Sequence, residues 1–186
     1  MCLIELLRRL FLSSVTMDIN EFRREIREKR ECLQQEFLSL AGDDLDAMLV
    51  SRSATESFLQ HPDKSRRLAA LWILANHWPS DETTREKFQE VIARDDDVEV
   101  RAVAAGRLGE ICKDSQDDRI GKYLATLVVD KNEHIKVREE AYRALYWVVG
   151  ISVFDHPLLV DFDFPKNADR KFISSFLGRD VGPELT

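Results

Sequence analysis

Hydrophobic positions recur every three or four residues almost without interruption from residue 18 to residue 150. This is the spacing of one face of an α-helix, so the chain is predicted to be helical throughout this region. The first long apolar stripe consists of Phe22, Ile26, Leu33, Phe37 and Leu40. Ala41-Gly42 predicts the end of this helix, and Asp43 or Asp44 is predicted to cap the next one.

A short pattern occurs three times in the helical region and is centred on an arginine. The three arginines, Arg67, Arg101 and Arg138, are 34 and 37 residues apart, a period typical of helical-repeat arrays. An alanine follows each arginine after three residues and a leucine follows it after seven. Four residues before the arginines stand Asp63, Asp97 and His134.

Each copy of the pattern predicts the second helix of a helical pair. Amphipathic stretches at residues 83–94 and 119–129 supply the first helices of the second and third pairs. Asp63 and Asp97 stand where a side chain caps the second helix, and each arginine is placed to reach a neighbouring turn or carboxylate. One such pair buries too little surface alone, so successive pairs are expected to stack.

The best copy, DDDVEVRAVAAGRLGEI at residues 95–111, and the weaker copies at 132–145 and 61–74 resemble the HEAT-like repeat family. The resemblance includes the short HEAT-like repeats of bacterial proteins and covers residues 44–150. It implies an all-α superhelix, or solenoid, preceded by an N-terminal helical extension at 1–43 and followed by a short capping segment at 151–186. The W-x-x-L-G-x-x-Y signature of tetratricopeptide repeats is absent.

The pattern changes after Gly150, where ISVFDHPLLVDFDFP is rich in apolar and aromatic residues but contains two prolines. Such a segment is predicted to be extended rather than helical. Asn167 or Asp169 then predicts the N-cap of a last short helix that ends at Gly178. This helix is expected to cover the open end of the stack.

The chain is expected to lie in the cytoplasm and to have no membrane anchor. The apolar run at residues 1–15 is interrupted by Glu5, Arg8 and Arg9, which makes it a poor signal peptide, and it is too short to span a membrane. It is either an extra amphipathic helix or lies upstream of a start at Met17. The three cysteines are widely separated, which argues against a disulfide framework or a zinc site.

The net charge of −7 argues against binding to nucleic acid. Residues 79–150 carry 12 basic and 16 acidic side chains, so the repeat region offers no strong basic patch. An alternative function remains, since some HEAT-like proteins that resemble this chain are DNA glycosylases of the alkylpurine type. Trp72 and Trp78 would then make the aromatic contacts with DNA.

No sequence motif for catalysis or cofactor binding is present. The four histidines are scattered, and the sequence lacks H-E-x-x-H, a glycine-rich phosphate loop and G-x-S-x-G. Asp95, Asp96 and Asp97 lack the glycine-containing spacing of a calcium loop. We therefore expect no catalytic residues, no metal and no cofactor.

The residues most suggestive of function lie on the second helices, opposite the expected core. In the middle repeat this face is a shallow trough of Ala102, Ala105, Gly106 and Gly109. Residues of types common in binding hot spots flank it: Trp72, Glu139, Tyr142, Arg143 and Tyr146. The hypothesis is a concave face that binds a protein partner.

Other interpretations remain open. The N-terminal helix of the chain itself would fill the trough equally well, with Trp72 as a core residue. A structural or assembly subunit is a third possibility, and the oligomeric state stays undetermined.

Overall fold

The computed structural model describes residues 31–151 and 162–185, except for residues 33 and 37. Within these ranges all regular structure is helical and no strand occurs, which confirms the all-α class for this part of the chain. Most of the predicted helix at 18–40 and of the predicted extended segment after Gly150 lies outside the described residues. None of the described helices is both long and apolar enough to cross a membrane.

We label the main helices α1 to α8 in chain order. Three short 3₁₀ helices accompany them at Gly42–Asp44, Phe58–Gln60 and Gly182–Leu185. The α-helices are α1 (Leu45–Leu49), α2 (Arg52–Ser57), α3 (Lys64–His77), α4 (Glu82–Arg94), α5 (Val98–Ile111), α6 (Asp118–Val129), α7 (Ile135–Val148) and α8 (Arg170–Leu177).

The second helices of the three predicted pairs lie side by side in chain order. Helix α5 packs against α3 on one side and α7 on the other. Helices α4 and α6 each pack against the helix that follows them in the chain. Helix α5 therefore has neighbours on three sides, and most of its small side chains are buried.

The predicted caps Asp63 and Asp97 are confirmed, and His134, for which no cap was predicted, caps the third of the second helices. Asp63 and Asp97 each accept the backbone N–H two residues ahead at 2.8 Å, and His134 does so through Nδ1 at 3.2 Å. These bonds satisfy amides that have no partner inside the helix. They also fix the point at which each second helix begins.

The predicted cap of the first short helix is wrong. Asp44 makes no capping hydrogen bond, because its backbone is itself helical and the 3₁₀ turn before it runs straight into α1. A cap appears instead at Ser51, whose Oγ accepts the Ala54 amide at 3.2 Å at the start of α2.

Two of the repeat arginines cross to the turn of the next pair, as predicted. Arg67 donates through Nε and Nη2 to the two carboxylate oxygens of Asp95, at 2.8 and 3.0 Å. Arg101 donates to the Asp95 carbonyl and to the Glu133 carboxylate, both at 2.9 Å. The turn before α5 thus receives Arg67 from the preceding helix pair and Arg101 from α5 itself. The bonds Arg67–Asp95 and Arg101–Glu133 join consecutive helix pairs.

Arg138, the third repeat arginine, pairs with no carboxylate of the described residues. Its Nε donates to the carbonyl of Val128 at 2.9 Å, and its guanidinium lies 5.6 Å from the centre of the Phe164 ring. Its Nη2 atom is buried without a hydrogen-bond partner. Burial lowers the pKa of Arg138 from its ordinary value, although an arginine stays charged at any physiological pH.

The predicted C-terminal helix is confirmed, and so are the residues at which it begins and ends. Asp169 caps α8 by accepting the amides of Lys171 and Phe172 at 2.9 and 3.0 Å, and Gly178 ends the helix in the left-handed conformation with φ of 65°. Helix α8 packs against α6, where Gly121 makes room for the Phe176 ring. A Cβ atom at Gly121 would lie 2.6 Å from that ring.

We expect Asp95→Ala to lower the free energy of unfolding by about 3 kcal/mol, because it leaves the guanidinium of Arg67 buried without its counter-charge. The side chains of Arg67 and Asp95 are only 10% and 6% exposed. Chemical denaturation measures the change. The matched control is Asp96→Ala, which removes a carboxylate that is 98% exposed and 3.4 Å from the same arginine. Its cost should be below about 0.5 kcal/mol, and equal costs for the two variants would contradict the role of the buried pair.

Candidate functional site

Three of the five predicted partner-binding residues are buried. Trp72, Tyr142 and Tyr146 are 7%, 0% and 5% exposed. The expectation that they line an open concave face is therefore wrong. Glu139 and Arg143 do lie at the surface, with 31% and 17% of their side chains exposed.

Trp72 is a core residue between α3 and the chain that precedes it. It packs in one cluster with Ala41, Met48, Ala69 and Ile73. The segment 38–49 therefore covers this side of α3, and the alternative interpretation of Trp72 as core is confirmed. The rest of the N-terminal helix that was expected to fill the trough lies outside the described residues.

Tyr142 and Tyr146 hold the C-terminal segment against α7. The Tyr142 hydroxyl oxygen accepts the Asp169 amide at 2.8 Å and lies 2.8 Å from the Tyr146 hydroxyl. The Tyr142 ring stacks on Phe162 with centroids 5.6 Å apart, and the Tyr146 ring lies 4.5 Å from that of Phe172. Burial raises the pKa of both phenols above the ordinary value, so both are neutral at physiological pH.

The trough of small residues is the packing seam between two helices. Ala102, Ala105 and Gly109 are buried, and only Gly106 of this set is partly exposed. A Cβ atom at Gly109 would lie 2.6 Å from the Cα of Ala144 in α7, so α5 and α7 approach each other here at backbone distance. The sequence interpretation placed a partner where the next helix of the same chain lies.

A charged patch occupies the open side of α5 and α7. It consists of Arg107, Glu110, Glu139, Glu140 and Arg143. On α7, Arg143 donates to Glu140 at 3.0 Å and to Glu139. On the neighbouring helix α5, Arg107 donates to Glu110. Every one of these bonds joins residues three or four apart, the spacing that places side chains together on one helix face.

The carboxylates of the charged patch face outward and the guanidinium groups lie beneath them. Glu110, Glu139 and Glu140 have 44%, 31% and 34% of their side chains exposed, against 20% for Arg107 and 17% for Arg143. Burial raises the pKa of Glu140 even though a third of its side chain is exposed, and Glu139 and Glu110 act in the same direction while the two arginines oppose them. The surface therefore presents more negative than positive charge.

Sequence reasoning selected Glu139 and Arg143 but missed the other three members of the charged patch. Arg107, Glu110 and Glu140 were not selected, because a single helix does not show which neighbour lies beside it. The i,i+3 pairs Arg107–Glu110 and Glu140–Arg143 were the available signal.

The other polar features of the described residues have structural roles. An open groove of about 440 Å³ lies at the turns before α3 and α5, but its charged residues already have partners. Lys64 pairs with Asp97 and Glu99, Arg67 pairs with Asp95 and Asp96, and Asp63 caps α3. His61 and His134 accept backbone amides. No group of three His, Cys, Asp or Glu side chains in the described ranges is arranged to hold a metal ion. Burial raises the pKa of the Cys112 thiol, which disfavours the thiolate needed for nucleophilic attack.

Comparisons of the chain with protein-family models, curated proteins and solved structures found no match. The resemblance to HEAT-like repeats therefore stays a prediction from the repeated sequence pattern.

We expect opposite effects from adding a methyl group at two glycines of α5. Gly109→Ala should destabilise the protein by about 1–3 kcal/mol, because the new Cβ would clash with the backbone of α7. At Gly106 the only close neighbour is a Glu140 carboxylate oxygen at 3.3 Å, at the end of a side chain able to move. Gly106→Ala should therefore be neutral or stabilising by up to about 1 kcal/mol through its higher helix propensity. Thermal or chemical unfolding checks both, and a comparable loss at the two positions would contradict the assigned seam.

Removing the Tyr142 hydroxyl should cost about 1–2 kcal/mol, because Tyr142→Phe deletes the oxygen that accepts the Asp169 amide and the hydrogen bond between the two tyrosine hydroxyls. Tyr123→Phe is the matched control, since it removes only a 3.3 Å bond to the Gln89 carbonyl. Its cost should be about 0.5 kcal/mol or less. Chemical denaturation is the measurement. An equal loss of unfolding free energy in the two variants would show that the Tyr142 hydroxyl stabilises the protein no more than the Tyr123 hydroxyl does.

Proposed function

We propose that this chain is a small α-solenoid of HEAT-like repeats that acts as a protein-binding module or adaptor and performs no chemistry of its own. Two features of the described residues support the repeat architecture: the order in which α3, α5 and α7 lie side by side, and the arginines that link consecutive turns. Both features are what a repeated helix pair would produce.

The observation that carries the binding proposal is the charged patch. Its charges lie on two adjacent second helices, the side on which solenoids bind their partners. A rigid support lies below, because the seam at Gly109 and Ala144 brings α5 and α7 to backbone distance. A partner would therefore meet charges held on a fixed scaffold.

The chemistry of the charged patch favours a partner that presents cations. Glu110, Glu139 and Glu140 are more exposed than the arginines beneath them, so their outer lone pairs face solvent. Lysine and arginine side chains of a partner protein donate to such carboxylates, often in bidentate pairs. The phosphates of a nucleic acid would be repelled by the same surface, so the structure adds no support to the alternative of a DNA-acting protein.

We expect the double variant Glu110→Lys/Glu139→Lys to lose its partner. Two charge reversals would place like charges against a cationic partner, and recovery should fall about tenfold or more. The measurement is affinity capture of the tagged chain from cells that naturally express it, with quantitative mass spectrometry of what is recovered. The variants should unfold near the wild-type denaturant concentration, because exposed i,i+3 and i,i+4 pairs contribute only about 0.3–0.5 kcal/mol each.

Glu86→Lys is the matched control, because Glu86 is exposed on α4 and lies outside the charged patch. It should retain the proteins captured by the wild type. Loss of the same proteins from this control would point to non-specific attraction by an acidic protein. Recovery of nucleic acid, or loss of all captured proteins after nuclease treatment, would favour the DNA-acting alternative.

A further inference from the structure

The N-cap of α7 is a histidine, whereas the corresponding caps of α3 and α5 are aspartates. His134 is exposed at the surface, and its Nδ1 accepts the Lys136 amide at 3.2 Å. Asp63 and Asp97 make the same bond through a carboxylate oxygen. The third helix pair therefore depends on a different acceptor from the first two.

The imidazole accepts this bond only when it is neutral. Nδ1 must then be unprotonated, with the ring proton on Nε2. A second proton converts Nδ1 into a donor, which removes the cap and puts positive charge at the positive end of the helix dipole. Histidine is the side chain type whose ordinary titration falls between pH 5 and 8.

The aspartate cap of α5 does not change in this range. Burial alone would raise the pKa of Asp97, but the amides of Glu99 and Val100 and the nearby Lys64 lower it below the ordinary value. The carboxylate therefore stays charged at pH 5. Stabilisation by Asp97 is lost only at lower pH, as the solution passes through its lowered pKa.

The charged groups around His134 do not replace the lost bond. Glu133 lies next to it, but its Oε1 already accepts Arg101 from the preceding helix pair and the His134 amide, at 2.9 and 2.6 Å. Lys136 adds a charge of the same sign as the protonated ring. Asp130 is turned to the amide of Asn132 at 2.9 Å.

The third helix pair also lacks the second support found in the first two. Arg67 and Arg101 each pair with a carboxylate of the following turn, whereas Arg138 has only a carbonyl and the face of Phe164. Arg138 lies in the first turn of α7. If the first turn of α7 loosened, the contact between Arg138 and Phe164 of the C-terminal segment would therefore loosen as well.

We propose that the first turn of α7 is a pH-sensitive element, closed when the His134 ring is neutral and opened when the ring is protonated. Opening of this turn loosens the contact between Arg138 and Phe164 and so weakens the attachment of the C-terminal segment. The first two helix pairs are capped by carboxylates and stay closed when His134 is protonated.

The test is amide hydrogen exchange of the full chain by NMR, expressed as protection factors so that the intrinsic pH dependence of exchange is removed. We expect protection of the amides of residues 136–138 to fall about fivefold between pH 7.4 and pH 5, the size of a lost cap. Protection of residues 99–101 in α5 should change less than twofold. The imidazole ¹⁵N shifts of His134 should report the Nε2-protonated tautomer at pH 7.4 and the cation at pH 5.

The deciding variant is His134→Asp, which keeps a cap but removes the titration. It should hold the protection of residues 136–138 constant between the two pH values, and His134→Asn should do the same. The control His77→Gln removes an exposed histidine at the C-terminal end of α3 and should keep the wild-type loss of protection in α7. The proposal is overturned if the wild type shows no selective loss in α7, if α5 loses protection equally, or if the loss persists in both cap variants.

Discussion

The buried ion pair between Arg67 and Asp95 is the contact on which the order of the helices depends. A guanidinium that is almost fully removed from water needs a carboxylate in a fixed position, because an unpaired buried charge costs several kcal/mol. Asp95 supplies it from the turn before α5, and the carbonyl of the same residue accepts Arg101. One residue thereby sets the position of the second helix pair relative to the first and helps to anchor the third.

The last of the three repeat arginines, Arg138, contacts the C-terminal segment. Among the described residues no carboxylate pairs with Arg138, and its guanidinium faces the Phe164 ring instead. Tyr142 and Tyr146 are buried by Phe162, Phe172 and the capped start of α8. The described part of the C-terminal segment therefore supplies apolar cover for α7.

The surface left open follows from the same packing. The small residues of α5 pack against α7, and the aromatic residues of α7 pack against the C-terminal segment. Neither set is therefore exposed to a partner. The side chains that remain on the open side are charged and paired within their own helices, with carboxylates outermost. The described face therefore presents charged groups rather than the aromatic side chains that the sequence had suggested.

The sequence by itself determined the helical class and the starts of α3 and α5, because caps and i,i+3 and i,i+4 spacings are local properties. The regular spacing of the repeated arginines also indicated that Arg67 and Arg101 reach a neighbouring turn. It did not determine which faces are covered. A helical wheel separates an apolar side from a polar side, but it does not reveal that α5 has neighbours on three sides or that Phe162 lies on Tyr142. Only the tertiary structure decided that Trp72, Tyr142 and Tyr146 are core and that Arg107, Glu110 and Glu140 share a surface, because those outcomes depend on contacts between residues far apart in the chain.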